Sequence, residues 1–181
     1  MGAAGMDTER LVMRRWREAD REPFAAMNAD PEVMRYFPAV MTRRQSDLLV
    51  DRIEEGFETR GYGLWALEVR GSGEFIGFTG LAFQTFEAPF TPAVEVGWRL
   101  RRTAWGHGYA IEAARRAVRY GFEEAGLAEI VSITTVGNTR SRSVMERLGM
   151  TRDPADDFDH PDVPAGSPLV PHVLYRLRPA R

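Results

Sequence analysis

Two glycines, Gly106 and Gly108, interrupt the run Trp105-Gly-His-Gly-Tyr-Ala110 where the residue pattern changes to a helical period. Glycine lets a backbone approach a ligand closely, and the first turn of a helix offers unpaired N–H groups at the positive end of its dipole. Together these features fit a site for phosphate, while a glycine pair before a helix, taken alone, is more often just a tight turn. Two other phosphate turns lack their required residues. A dinucleotide fingerprint needs glycine where Ile111 stands, and a P-loop needs Gly-Lys-Ser/Thr, which is absent. There is no cysteine, which removes a thiolate nucleophile, a thiolate metal site and a disulfide framework. Asp156, Asp157 and Asp159 beside His160 lack a metal-ligand spacing, and no metal is expected.

The elements around this turn follow from periodicity. Over residues 108–125, Ala110, Ala113, Ala114, Ala117, Val118, Gly121 and Phe122 form one stripe of mostly small residues. Alanine favours helix anywhere, but its restriction to one face predicts close packing on a sheet. Upstream, Val94-Glu-Val-Gly-Trp-Arg-Leu100 alternates, with Val94, Val96, Trp98 and Leu100 on one face and Glu95 on the other. Downstream, Ile130-Val-Ser-Ile-Thr-Thr-Val136 reads as a strand, and Asn138 caps a short helix that stops at Leu148-Gly149.

Further strands are expected at Leu11-Val-Met-Arg14, at residues 64–69 and 74–83 joined by Gly71-Ser-Gly73, and at 172–177. A helix is expected around 18–28, which Pro23 allows only if it stands in the first turn, and Asp30-Pro31 predicts a helix restart. Thr42-Arg-Arg-Gln45 is a capping box that opens a helix to about Arg60, with Leu49, Ile53 and Phe57 on one side. Residues 85–92 and the proline-rich stretch 154–171 read as loops. The sum is an α+β fold, a mixed and mostly antiparallel sheet with helices on both faces.

At 181 residues, 44% hydrophobic and 28% charged, the chain suits one domain with one core. A net charge of -2 argues against a nucleic-acid partner. The start lacks a secretory signal, Met6 stands where a myristoylation site wants Ser or Thr, and no stretch is apolar enough to span a bilayer. A cytoplasmic protein without a membrane partner is expected, with residues 1–7 a disordered or foreign tail.

The segment Glu95-Val-Gly-Trp-Arg-Leu-Arg-Arg-Thr-Ala-Trp-Gly-His-Gly-Tyr-Ala-Ile-Glu-Ala113 resembles the central motif of GNAT N-acetyltransferases, in the version of the RimJ/RimL-like branch. Gly108 and Ala110 match the fourth and sixth positions of Arg/Gln-x-x-Gly-x-Gly/Ala, and Trp105 replaces the Arg or Gln, as is usual in that branch. The resemblance runs on through Gly126-Leu127, Asn138-x-x-Ser141 and Arg147-Leu-Gly-Met150. It also reaches back to Thr8-Glu-Arg-Leu11 and Asp30-Pro-Glu-Val33. One departure is Arg102, where the branch often has proline.

The resemblance implies a single acetyltransferase domain over 8–181, with acetyl-CoA as co-substrate and an amine as acceptor. Trp105 and the amides of Gly106, His107, Gly108, Tyr109 and Ala110 would hold the pyrophosphate. The strand edge at Trp98, Arg99 and Leu100 would hold the pantetheine arm as a pseudo-strand. Asn138 would touch that arm, and Ser141 would sit near the sulfur as acid or hydrogen-bond donor. Acetyl transfer also needs a base, and Glu95 is the candidate, acting through a water. His107 is expected to face the cofactor or solvent, and His160 and His172 to be bystanders. The acids of the late loop would attract a cationic amine.

The acceptor, a protein N-terminus or a small-molecule amine, is to be read from 34–40, 85–92 and 154–171. Homodimers are common among such relatives. A catalytically idle CoA-binding or regulatory module and a nucleotide-binding domain are the rival readings.

Overall fold

In the computed structural model, which describes residues 6–179, the chain begins with strands β1 (Met6–Asp7) and β2 (Leu11–Arg14), then helices α1 (Arg21–Asn28) and α2 (Arg43–Arg60). Strands β3 (Leu64–Val69), β4 (Glu74–Gln84) and β5 (Ala93–Leu100) lead to α3 (Tyr109–Glu123), β6 (Ile130–Thr135) and α4 (Thr139–Arg147). Short strands β7 (Thr151–Arg152) and β8 (Phe158–Asp159) precede the last strand, β9 (Pro171–Leu177).

Local chemistry accounts for these bounds. Thr42 Oγ1 accepts from the Gln45 N–H at 3.2 Å, and Gln45 Oε1 accepts from the Thr42 N–H at 2.8 Å, so the predicted capping box opens α2. Gly61, at φ 79°, closes it in the left-handed conformation. Pro23 sits in the first turn of α1, where its missing N–H costs nothing.

One nine-stranded sheet runs in the order β1-β2-β3-β4-β5-β6-β9-β7, with β8 also paired to β9. Every pairing is antiparallel except β5 with β6. Those two strands share a single register pair, Glu95 with Val131. Phe78 of β4 packs on Phe24 of α1 at 5.9 Å. Leu81, three residues on and so on the other face, meets Gly121 of α3. Helices therefore cover both faces, as expected. Among the described residues, no helix is long and apolar enough to cross a membrane.

Three expectations change. Met6 and Asp7 are not tail: they pair with Met13 and Val12, and Met6 is only 2% exposed because its side chain completes the core beside β2. Residues 1–5 lie outside the described range. After Asp30 the chain makes turns over 31–36 rather than a helix. Asp30 does cap, accepting from the Glu32 N–H at 2.8 Å, but Pro38 follows within two turns and disfavours helix in the residue before it. The 154–171 loop is also less irregular than its prolines suggest, since β8 ties Phe158 to His172.

Candidate active site

A cleft of about 600 Å³ opens between the C-terminal halves of β5 and β6. It is lined by residues 97–100 of β5 and 132–135 of β6, with Asn138 and Ser141 at one side. Val96 C=O accepts from Ser132 Oγ at 2.9 Å, so the alternating backbone groups of Trp98 and Leu100 aim the same way, toward β6. Beyond the single Glu95–Val131 pair, no strand among the described residues meets them. Trp105 Nε1 donates to Leu100 C=O at 2.9 Å. The N–H and C=O of Trp98 and the N–H of Leu100 remain without a partner among the described residues. A row of free backbone groups along a cleft fits an extended amide-bearing chain.

This edge leads directly to the glycine turn. Gly106 and Gly108 adopt φ 80° and 78°, a conformation that a side chain disfavours, and Gly108 precedes the first residue of α3. The amides of residues 106–110 have no protein acceptor among the described residues, so they remain available to an anion. The Arg102 departure has a physical reading. Arg102–Ala104 form one 3-10 turn, and Arg102 stands at its first position, where proline would equally fit.

The turn is braced by residues to which the sequence analysis gave no role. Arg10 Nη1 donates to His107 C=O at 2.9 Å. Glu112, in the first turn of α3, accepts from Thr8 Oγ1 at 2.6 Å, from Arg10 N–H at 2.9 Å and from Arg10 Nε at 2.7 Å. Burial would raise the Glu112 carboxyl, but these donors together hold it below its ordinary value. Thr8 and Arg10 were visible only as a family-like block, because nothing local says that they clasp a helix a hundred residues away. The Arg140 guanidinium lies 4.2 Å over the Trp105 ring.

Trp105 and Ala110 line the cleft with Trp98, Arg99, Leu100, Asn138, Ser141 and Glu95. Gly106, His107, Gly108 and Tyr109 continue round the helix start beyond it, with the His107 side chain exposed.

Ser141 is the third residue of α4. Its Oγ accepts from Asn138 Nδ2 at 3.1 Å and from Trp98 Nε1 at 3.3 Å. With both lone pairs engaged, its proton is free to be donated, and two donors on the oxygen together with the helix dipole favour the developing anion. Asn138 proves busier than expected. Its Oδ1 caps Ser141 N–H at 3.3 Å, and its Nδ2 also reaches Thr134 Oγ1 at 3.0 Å. Both amide hydrogens are thus engaged within the protein, and the side chain orients Ser141.

Glu95 lines the same cleft from the opposite face of β5. Gln84 Nε2 donates to its Oε2 at 2.6 Å. Burial pushes its carboxyl from an ordinary 4.5 up to about 7, against the smaller opposing effects of Gln84 and the Ile133 N–H. A carboxyl so tuned exchanges a proton near neutrality.

Arg99 shares that face. Its Nη1 donates to Asn28 Oδ1 at 2.8 Å, and its Cζ lies 4.3 Å from the Phe37 ring and 5.3 Å from the Phe78 ring. His160 and His172, expected to be bystanders, line the cleft with ring centroids 4.9 Å apart, and burial lowers the pKa of both. Two of the late-loop acids expected to attract an amine are spent elsewhere. Asp157 pairs with Arg152, and Asp156 with Arg176 at 3.0 Å. Asp162 is the acid of that loop which lines the cleft.

Comparison with known proteins is consistent with this geometry. Residues 10–151 match the family described as acetyltransferase (GNAT) domain. The Bacillus subtilis protein YkkB is 33% identical over 144 residues, which cover 79% of this chain and 83% of YkkB. FsC-acetyl coenzyme A-N(2)-transacetylase of Aspergillus fumigatus is 44% identical over 95 residues, covering 50% of this chain and 40% of that protein. A GNAT-family acetyltransferase structure from Bacillus anthracis superposes with a TM-score of 0.78 at 26% identity, over 97% of this chain and 98% of that one.

Proposed function

The chain belongs to the GNAT family of acetyl-CoA-dependent acetyltransferases, and from that premise we propose that it acetylates a primary amine, a protein N-terminus or a small molecule, by direct attack in a ternary complex. The observation that carries this reading is the unpartnered edge of β5 at Trp98 and Leu100, running straight into the glycine turn at the start of α3.

The edge backbone of 98–100 would bond the pantetheine arm, and the amides of 106–110 with the α3 dipole would hold the pyrophosphate. When bound, acetyl-CoA supplies an acetyl group activated as a thioester. The Glu95 carboxylate accepts the ammonium proton through a water and leaves the amine lone pair free. Ser141 Oγ, oriented by Asn138 and Trp98, gives its proton at the sulfur end of the cleft. The amine nitrogen then bonds the acetyl carbon as the C–S bond breaks, and the second proton that this nitrogen sheds returns to Ser141, so the products are amide and thiol with one proton left on Glu95 for solvent.

The RimJ/RimL-like motif blocks are the support for a peptide N-terminus as acceptor, and the relative named for N(2) transfer supports a small-molecule amine. The test is release of free thiol from acetyl-CoA over a panel of peptides with free N-termini, polyamines and aminoglycosides. Turnover on any of these amines is expected. Binding of acetyl-CoA with no thiol release across the panel would instead describe an idle binding module.

A further inference from the structure

Arg99 is a cation set inside the acceptor end of the cleft without a counter-ion. No carboxylate lies within 4.0 Å of its guanidinium among the described residues, whereas Arg14, Arg15 and Arg21 each have one or more at 3.0 Å or less. Its Nη1 is met by Asn28 Oδ1 at 2.8 Å and by Met41 Sδ at 3.7 Å. Its Nε is buried with no acceptor, and Nη2 has no acceptor among the described residues. Burial draws its pKa down to about 10, which leaves it charged at neutral pH.

Keeping an unpaired charge in such a place costs stability, and the surroundings hold it there deliberately. Asn28 is itself fixed by donating to buried Ser46 Oγ at 2.9 Å, and Phe37 and Phe78 flank the guanidinium plane. The fork is therefore rigid, charged and short of acceptors. Glu95 and Asp162 also line this cleft and carry the opposite sign. A ligand that satisfies the site bears a positive amine and a negative group on one molecule.

We propose that Arg99 is a specificity residue that binds a carboxylate on the acceptor, so that the preferred substrates are amines carrying an anionic group, such as amino acids and acidic or carboxyl-terminal segments of short peptides. This rests on the acetyltransferase reading above and narrows its acceptor. The planar fork of arginine matches a carboxylate in two-point geometry, which lysine cannot reproduce. Arg99 and Glu95 are four residues apart on one face of a strand, so their backbones are roughly 13 Å apart. That spacing leaves room for an acceptor spanning from the guanidinium toward the proton-accepting end.

The test compares matched pairs of acceptors by thiol release: ω-amino acids against alkylamines of the same length, α-amino acids against their amides, and dipeptides with free against amidated carboxyl ends. For wild type, the carboxylate member of at least one pair is expected to have kcat/KM about tenfold or more above its partner, the scale of a charge-assisted hydrogen bond. Arg99→Met should bring that ratio close to one through KM, and Arg99→Lys should retain part of it.

Equal or reversed preference in wild type overturns the proposal, as does an Arg99→Met enzyme that keeps the preference. The wild-type pairs decide the matter even if Arg99→Met fails to fold, which circular dichroism would reveal. Thiol release without regard to the carboxylate sinks this inference alone. Silence on every amine sinks the acetyltransfer reading with it.

Discussion

In the proposed reaction Glu95 and Ser141 divide the proton chemistry, and their environments differ in a way that can be measured. A carboxyl with a pKa of about 7 is protonated below that pH and cannot accept a proton from an ammonium group. The rate is therefore expected to rise with pH and level off above about 7. In Glu95→Gln this limb should disappear, with kcat lower by on the order of a hundredfold or more. The same shift affects stability, because the unfolded carboxyl ionises first, near 4.5. Stability in the folded state is lost as pH rises from there through about 7. The melting-temperature difference between Glu95→Gln and wild type should thus move in favour of the variant across that window and then stay constant. Ser141→Ala removes the proton at the sulfur end but not the edge of β5. Its kcat should fall roughly ten- to a hundredfold, with a smaller change in acetyl-CoA affinity measured by calorimetry. Wild-type turnover in that variant would show that the hydroxyl is dispensable.

Helix α3 joins the core to the glycine turn, and the stripe of small residues is what allows the connection. Ala113, Ala114 and Ala117 are 0% exposed, and a Cβ on Gly121 would come within 2.7 Å of Ile130 Cδ1 and 3.2 Å of Leu81 Cδ1. Gly121→Leu should destabilise the fold by about 1–3 kcal/mol, since overpacking must move the helix or its neighbours. If the first turn of the same helix holds the phosphates as proposed, acetyl-CoA affinity should weaken together with the denaturation midpoint, and an unchanged affinity would show that the two ends of α3 are uncoupled. That helix, its stripe and the glycine turn were legible in the sequence because each is a local pattern: a period, a cap, a pair of glycines. So was Glu95 opposite Val94 and Val96. The Arg10–Glu112 clasp was not, because hydrogen bonds across the fold leave no spacing to read. Strand alternation already put Arg99 on the Glu95 face, but only the folded loop around Phe37 reveals that no acid covers it. The turns at 31–36 escaped for a different reason: a good N-cap competes with a nearby proline, and sequence does not weigh the two.

Across the whole sheet, the decisive feature is where pairing fails. Among the described residues each of the nine strands is tied antiparallel to at least one neighbour by two or more register pairs, yet β5 and β6 touch in parallel at one pair. A ligand lying along β5 and reaching α3 and α4 would join parts of the molecule that the sheet leaves apart. Acetyl-CoA at about a hundred times its Kd should stabilise the folded state by about 2.7 kcal/mol. For a domain of this size that corresponds to a rise in Tm of roughly 5–10 °C. CoA without the acetyl group should produce most of the effect, because the amide-bearing arm and phosphates are the parts proposed to meet the edge and the turn. ATP and NAD share the phosphates but lack the arm, so they should produce much less. A thermal melt in which either nucleotide stabilises the chain as strongly as acetyl-CoA would mean that the unpaired edge of β5 contributes nothing to recognition.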